Sequence, residues 1–255
     1  MREPLRSGRL VAWLRAWRAG LVPIDDVVTA VEGDDDPHEV ADLPGHVHAV
    51  PLRTALATLS GLDPDAVRLV LPAAGDPRGL PGPGEFSTAA LRAGEGAVCA
   101  GLGLVPSVDR RVSGSGDVWH TVLWTAAPVP VAGVPLETVS LADAEHDLLD
   151  ALRTSTDALR ELDVARWRPE LAEALADLRR DGHAADLPPG YDLRAHRVLH
   201  RAATVGRIVA LAGADAPGAA VNAFEASARD AALRPLATAA RRARVAAVNA
   251  PLRPG

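Results

Sequence analysis

Residues 118–136 read VWHTVLWTAAPVPVAGVPL, and the change of character along this stretch decides the fold. Its first half alternates. Val118, His120, Val122 and Trp124 share one face of a strand, and Trp119, Thr121, Leu123 and Thr125 share the other. Both faces are substantially apolar, which suits a strand covered on both sides or a sheet with an intersubunit face. From residue 127 the alternation yields to Pro128, Pro130 and Pro135, the spacing of an extended linker. No period-two pattern returns after it. The sequence therefore reads as α+β. A small, mostly antiparallel sheet with helices occupies residues 1–130, a Pro-rich linker 131–139, and a helical bundle 140–255, expected to pack on the first region.

Upstream of the quoted stretch, helices are expected over 7–19, 25–32 and 51–60. The last has Leu52, Ala55, Leu56 and Leu59 in line, with Gly61 as its stop. Trp13 points away from the Leu10–Leu14–Trp17 face. GHVHAV (45–50) alternates like a strand edge and puts His46 and His48 on one side. Val67–Leu71 and Ala97–Val108 read as strands, the second joined to 118–126 through SGSGD. Residues 87–93 fit one or two helical turns. The acidic run Asp34–Asp36 reads as a solvated loop.

Downstream, Ser140 and Asp143 resemble a capping box, and Leu141, Leu148, Leu152, Leu159 and Leu162 follow at heptad spacing. Pro169 opens a further helix with Leu171, Leu175 and Leu178 as its stripe. In Tyr191–Gly213 the residues Ala195, Val198, Leu199, Ala202, Val205, Gly206 and Val209 fall in one arc, and the small ones admit a close neighbour. The last helical region, 218–249, places Val221, Phe224, Ala228 and Ala231 on one face, with a kink or break expected at Pro235.

Composition excludes several chemistries. All 27 basic residues are arginine, so no Schiff-base, pyridoxal-phosphate or phosphate-loop lysine exists. With 22 Gly and 21 Pro, the lysine-free composition matches a GC-rich bacterial genome. Cys99 is the single cysteine, which rules out internal disulfides and cysteine zinc sites and leaves it as a small buried hydrophobe. Only 3% of residues are aromatic, so the core must be built mainly from Ala, Val and Leu. The N-terminus is interrupted by arginines and no membrane-length apolar run occurs, so a cytoplasmic location is expected.

Three candidate sites follow. The Gly/Pro-rich segment 73–86 suggests a ligand-binding loop around Asp76 and Arg78, although the phosphate-loop signature is absent. Residues 137–192 hold 14 acidic residues against 6 arginines, while 193–255 hold 10 arginines against 3 acidic residues. Arg194, Arg197, Arg201 and Arg207 could thus bind an anion. Nucleic acid is disfavoured, because the chain carries a net charge of −6 and lacks basic–aromatic interleaving. Glu145, His146, Asp150, His196 and His200 could form a carboxylate–histidine metal centre between bundle helices. Adjacent Glu145 and His146, however, diverge by about 100° on a helix. His196 and His200 lie off the apolar arc beside Arg197 and Arg207, where Coulomb repulsion disfavours a cation. A Ser87–His120–Asp76 triad lacks the strand–turn–helix elbow.

The favoured reading is non-catalytic binding of a small ligand or a protein partner, with no cofactor. A metal-dependent enzyme is the alternative, and anion or nucleic-acid binding the second. A homo-oligomer stays open.

Overall fold

The computed structural model describes residues 5–130, 139–161, 187–213 and 223–253. The chain divides into two compact units. One is a sheet unit of residues 5–130, to which the short segments 187–192 and 251–253 return. The other is helical and comprises 139–161, 193–213 and 223–250.

In the sheet unit the order is α1 (Arg6–Arg18), α2 (Ile24–Glu32), β1 (Glu39–Ala41), β2 (Val50–Pro51), α3 (Leu52–Thr58), β3 (Val67–Val70), α4 (Glu85–Ala93), β4 (Gly96–Cys99), β5 (Leu102–Val112) and β6 (Val118–Pro128). The strands form one sheet in the order β2-β1-β6-β5-β4-β3. Every pairing is antiparallel except β1 with β6. Register assigns the faces. Leu69, Ala97, Leu104 and Ala126 lie opposite one another on the α1 side, where a Cβ at Gly8 would lie 3.8 Å from the Leu69 side chain. Val70, Val98, Val105 and Ala127 lie on the other face and pack with Phe86 and Ala90 of α4. Burial of such side chains stabilises by about 1.5–3 kcal/mol each. Gly103 is required under α4, since a Cβ there would lie 2.1 Å from the Phe86 ring.

Helix α1 is the centre of this unit. Leu10, Val11 and Leu14 are fully buried, and so nearly are Arg6, Ser7 and Arg15. Leu5 gives its N-terminus no side-chain cap. Instead the Ser7 backbone N–H donates to the Glu95 carboxylate at 2.7 Å. Burial pushes the Glu95 carboxyl upward against that hydrogen bond. Arg15 donates to Pro64 O, to the Tyr191 hydroxyl and to Asp65, which draws the 187–192 segment onto α1.

Several expectations need correction here. The strand expected over 97–108 is two strands, β4 and β5, reversed through Ala100 (φ 53°) and Gly101. An alanine in left-handed backbone is uncommon, so the apolar run hid its own turn. His46 and His48 lie in a turn rather than on a strand edge. Gly45 takes φ 86° there and His46 N–H bonds back to Leu43 O. The paired strand is β1, which went unread because three residues carry too little pattern. Residues 127 and 128 still belong to β6, and just past it the Val129 N–H bonds to Gly101 O. Asp35 is only 12% exposed, not solvated.

The helical unit contains α5 (Leu141–Glu161), α6 (Leu193–Gly213) and α7 (Ala223–Val248), and no strand occurs there among the described residues. Of the α6 arc, Ala195, Val198, Leu199, Ala202 and Val205 are buried while Gly206 and Val209 are half-buried, and the Arg244 guanidinium of α7 occupies the space above Gly206. The α5 stripe differs. Leu148 is buried with Ala144 and Ser155, whereas Leu152 is 37% exposed. Ala231 is also exposed; α7 instead buries Leu233, Leu236, Ala240, Ala243 and Ala247. Helix α7 runs through Pro235 without a break. A helical proline disturbs the carbonyls one turn earlier, and the buried Ser155 hydroxyl donates to Ala232 O there at 2.8 Å. Leu162, the Leu171–Leu175–Leu178 stripe and Val221 lie outside the described residues.

Candidate functional site

The densest buried polar cluster of the sheet unit joins α1, the loop after α2, and β6. The Arg6 guanidinium donates to both Asp35 carboxylate oxygens, from Nε at 2.8 Å and Nη2 at 2.9 Å. His38, 0% exposed, stands 3.3 Å from Asp35 through Nε2. Its Nδ1 accepts the Trp124 indole N–H at 3.2 Å. An indole can only donate, so Nδ1 is unprotonated and the ring hydrogen sits on Nε2, directed at Asp35. The His38 backbone N–H donates to Glu32, and its carbonyl accepts from Leu52 N–H. On β6, His120 Nδ1 lies 3.6 Å from Asp35, and the His120 carbonyl accepts the Asp36 N–H. His120 is the half-buried member through which the cluster meets solvent.

The electrostatics follow from these contacts. Burial tends to raise the Asp35 carboxyl, but the Arg6 hydrogen bonds and charge, with His38, outweigh it and hold the group below the usual carboxylate range. For His38, burial dominates and depresses the imidazole, against the upward pull of Asp35 and Glu32. An ionised Asp35 and a neutral His38 are the state these surroundings favour.

The cluster sits at the root of an unusual hairpin. β4 pairs only with Leu102–Leu104 of β5, and β1 only with Leu123–Thr125 of β6. Farther out, β5 and β6 pair solely with each other as far as Val112↔Val118, among the described residues. On the face that carries Trp124 at its root, this ribbon presents the opposite pairs Arg110/His120 and Val112/Val118. Val112 is 53% and Val118 48% exposed. Asp109 pairs with Arg111 at 2.8 Å, while Arg110 makes no ion pair among the described residues.

The residues singled out from sequence are placed as follows. Asp76 is buried in a tight turn with Ala73, and Arg78 Nε lies 3.4 Å from its carboxylate. Glu145 is held by Arg194 at 2.8 Å and Arg201 at 3.3 Å. These two ion pairs join a carboxylate of the metal candidates to two guanidinium groups of the anion candidates. His146 pairs with Asp150 on the exposed side of α5, His200 and Arg197 are exposed, and His196 and Arg207 are half-buried. Among the described residues no three His, Cys, Asp or Glu side chains are arranged to hold a metal ion. Between α5 and α7, a groove of about 590 Å³ sets Asp147 and Asp150 against Arg234 and Arg242. Cys99 is buried, and burial pushes its thiol up to about 12. Trp13 is half-buried. Sequence reasoning missed His38 altogether and read Asp35 as solvated. The available signal was Asp35-Asp36-Pro37-His38 ahead of a short β-branched stretch, and it was too brief to register.

An α+β sheet unit with a buried Arg–Asp–His–Trp network, followed by a helical unit, is thus the class of protein the chain defines. It belongs to the Rv1486c-like family: residues 7–139 match the N-terminal domain of that family and residues 142–245 its C-terminal domain. It is 32% identical to the uncharacterized protein Rv1486c of Mycobacterium tuberculosis (strain ATCC 25618 / H37Rv), with 96% of each chain covered. It is 30% identical to the uncharacterized protein ML1804 of Mycobacterium leprae (strain TN), again over 96% of both chains. No solved structure matches it. Among the described residues no helix is long and apolar enough to cross a membrane.

Proposed function

We propose that the chain is a non-catalytic binding protein that docks a protein partner on the β5–β6 ribbon. The single observation that carries this reading is the ribbon's outer half, where two strands continue without a third among the described residues and hold valines in water. An isolated two-stranded ribbon is marginal in water, and its unpaired edge is a template for another strand. Here Val112 and Val118 form an apolar patch beside Arg110 and His120. The complementary partner offers an apolar strip with a carboxylate for Arg110. The root network supports binding over chemistry, because both His38 nitrogens, both Asp35 oxygens and the Cys99 thiol are engaged or sealed from solvent.

The test places a photo-reactive residue at Val112 in the full chain, in the cells that make it. Val47, 93% exposed and apolar, is the control position. A discrete adduct at 112, absent at 47 and lost on Val118→Asp, is the expected result. Equal labelling at both positions would sink the reading.

A further inference from the structure

We infer that His38 is an acid-released latch that fixes the root of the β5–β6 ribbon. Its consequence for binding rests on the ribbon reading above; the latch itself stands on the geometry of the root.

Four elements converge on the His38 ring and the loop that carries it. Trp124 of β6 donates to Nδ1, and Asp35 of the preceding loop accepts from Nε2. Arg6 of α1 and His120 of β6 face the same carboxylate, and Glu32 at the end of α2 holds the His38 backbone. The neutral ring with hydrogen on Nε2 satisfies each of these partners. A second proton can go only to Nδ1, where it meets the Trp124 N–H. Two donors would then face each other across 3.2 Å at a site with no water access. The imidazolium must turn away, and Trp124 loses its acceptor. The loop that swings with it also carries the Asp36 N–H bonded to the His120 carbonyl and the Asp35 carboxylate 3.6 Å from His120 Nδ1, so the ties of this loop to β6 at the ribbon's root loosen together.

The sign follows from the charges. Asp35 and Glu32 favour the imidazolium, but burial and Arg6 oppose it and prevail, so the ring is depressed below its ordinary value. A group depressed in the folded state contributes stability above its unfolded value, about 6.5, and loses it as pH falls from there through the folded value. Inside that window the closed state weakens by up to about tenfold per pH unit. Asp35, also depressed, acts the same way at lower pH, below about 3.9.

The experiment uses the full chain with labelled Trp and His. Hydrogen-exchange protection of the Trp124 indole is compared between about pH 7.5 and about pH 5, the interval in which histidine changes charge. Protection should fall several-fold in the wild type and stay level in His38→Gln, which cannot acquire the charge. Ring-nitrogen shifts of wild-type His38 give a second readout if the variant fails to fold, and they should report the Nε2–H tautomer at neutral pH. An unchanged indole, an equal fall in His38→Gln, or the Nδ1–H tautomer would each overturn the latch. Crosslinking at Val112 separates the two readings. Labelling that is specific but indifferent to an unresponsive indole defeats the latch alone. A responsive indole without specific labelling at any pH defeats the docking proposal and leaves the latch standing.

Discussion

The two units bury different things. The sheet unit removes Arg6, Arg15, His38, Trp124 and Phe86 from water, while the helical unit closes over Ala144, Ala195, Ala202, Ala240, Ala243 and Ala247. Ser155 is the one polar residue among the buried side chains described in the helical unit. Ion pairs divide accordingly. Arg6–Asp35 joins side chains that are 3% and 12% exposed, and Arg194–Glu145 joins side chains that are 44% and 21% exposed. A charge taken out of water must be fully partnered, whereas one left in water gains little from a partner. The sheet unit therefore carries its specificity in a few irreplaceable contacts. The helical unit spreads it over many small ones.

The largest break in this contrast should come from Arg6→Ala. It strands the Asp35 carboxylate with His38 as its remaining described side-chain hydrogen bond. Loss of one member of a buried pair costs about 3–5 kcal/mol. Arg194→Ala, measured identically by chemical denaturation, should cost less than about 1 kcal/mol. Equal losses would show that burial does not separate the two units.

Glycines sharpen the same point at smaller scale. In Gly103→Ala the new Cβ meets the ring of buried Phe86 at 2.1 Å, and a ring under α4 has nowhere to go. Overpacking of this kind costs about 1–3 kcal/mol. In Gly206→Ala the Cβ meets Arg244 Nη2 at 2.5 Å, the far end of a flexible side chain. Arg244 swings aside and gives up its bond to Ala203 O, and the gain of about 1 kcal/mol in helix propensity offsets the loss. Thermal unfolding of the two variants should therefore separate clearly, and a larger loss at Gly206 would invert the comparison.

What the sequence disclosed follows the same divide. Long periodic elements were readable: α6 buries five of the seven residues of its arc, and β6 shows both faces, because eleven or more residues repeat a pattern. The α+β class followed from the Pro-marked end of that alternation. The root network was not readable. Arg6, Asp35, His38 and Trp124 come from three places in the chain, and only tertiary packing turns an acidic loop into a buried one. β1 carries three residues and the β4–β5 turn uses an alanine where a glycine was the expected marker. Spacing alone assigns Glu145 to a metal site and Arg194 and Arg201 to an anion site, and only the packing of α6 against α5 joins them.

The smallest expected effect concerns Leu152, where heptad spacing and structure disagree. Spacing of seven from Leu141 reaches Leu148, and Leu152 follows at the four-residue step of the same heptad pattern, so both leucines read as core. A straight helix drifts from a seven-residue repeat by about 20° per heptad, and the supercoil that would absorb the drift needs leucine partners on the facing helices. The buried line on α5 runs instead through Ala144, Leu148 and Ser155, and Leu152 slips to the rim at 37% exposure. Leu148→Ala opens a cavity in a fully buried site and should cost about 2–5 kcal/mol. Leu152→Ala keeps the helix and loses a side chain already part in water, so its cost should stay below about 1 kcal/mol. Denaturation curves for the two variants decide it. Should Leu152→Ala prove as costly as Leu148→Ala, α5 buries a wider face than its contacts with α7 account for, and the helical unit has a broader core than an alanine seam.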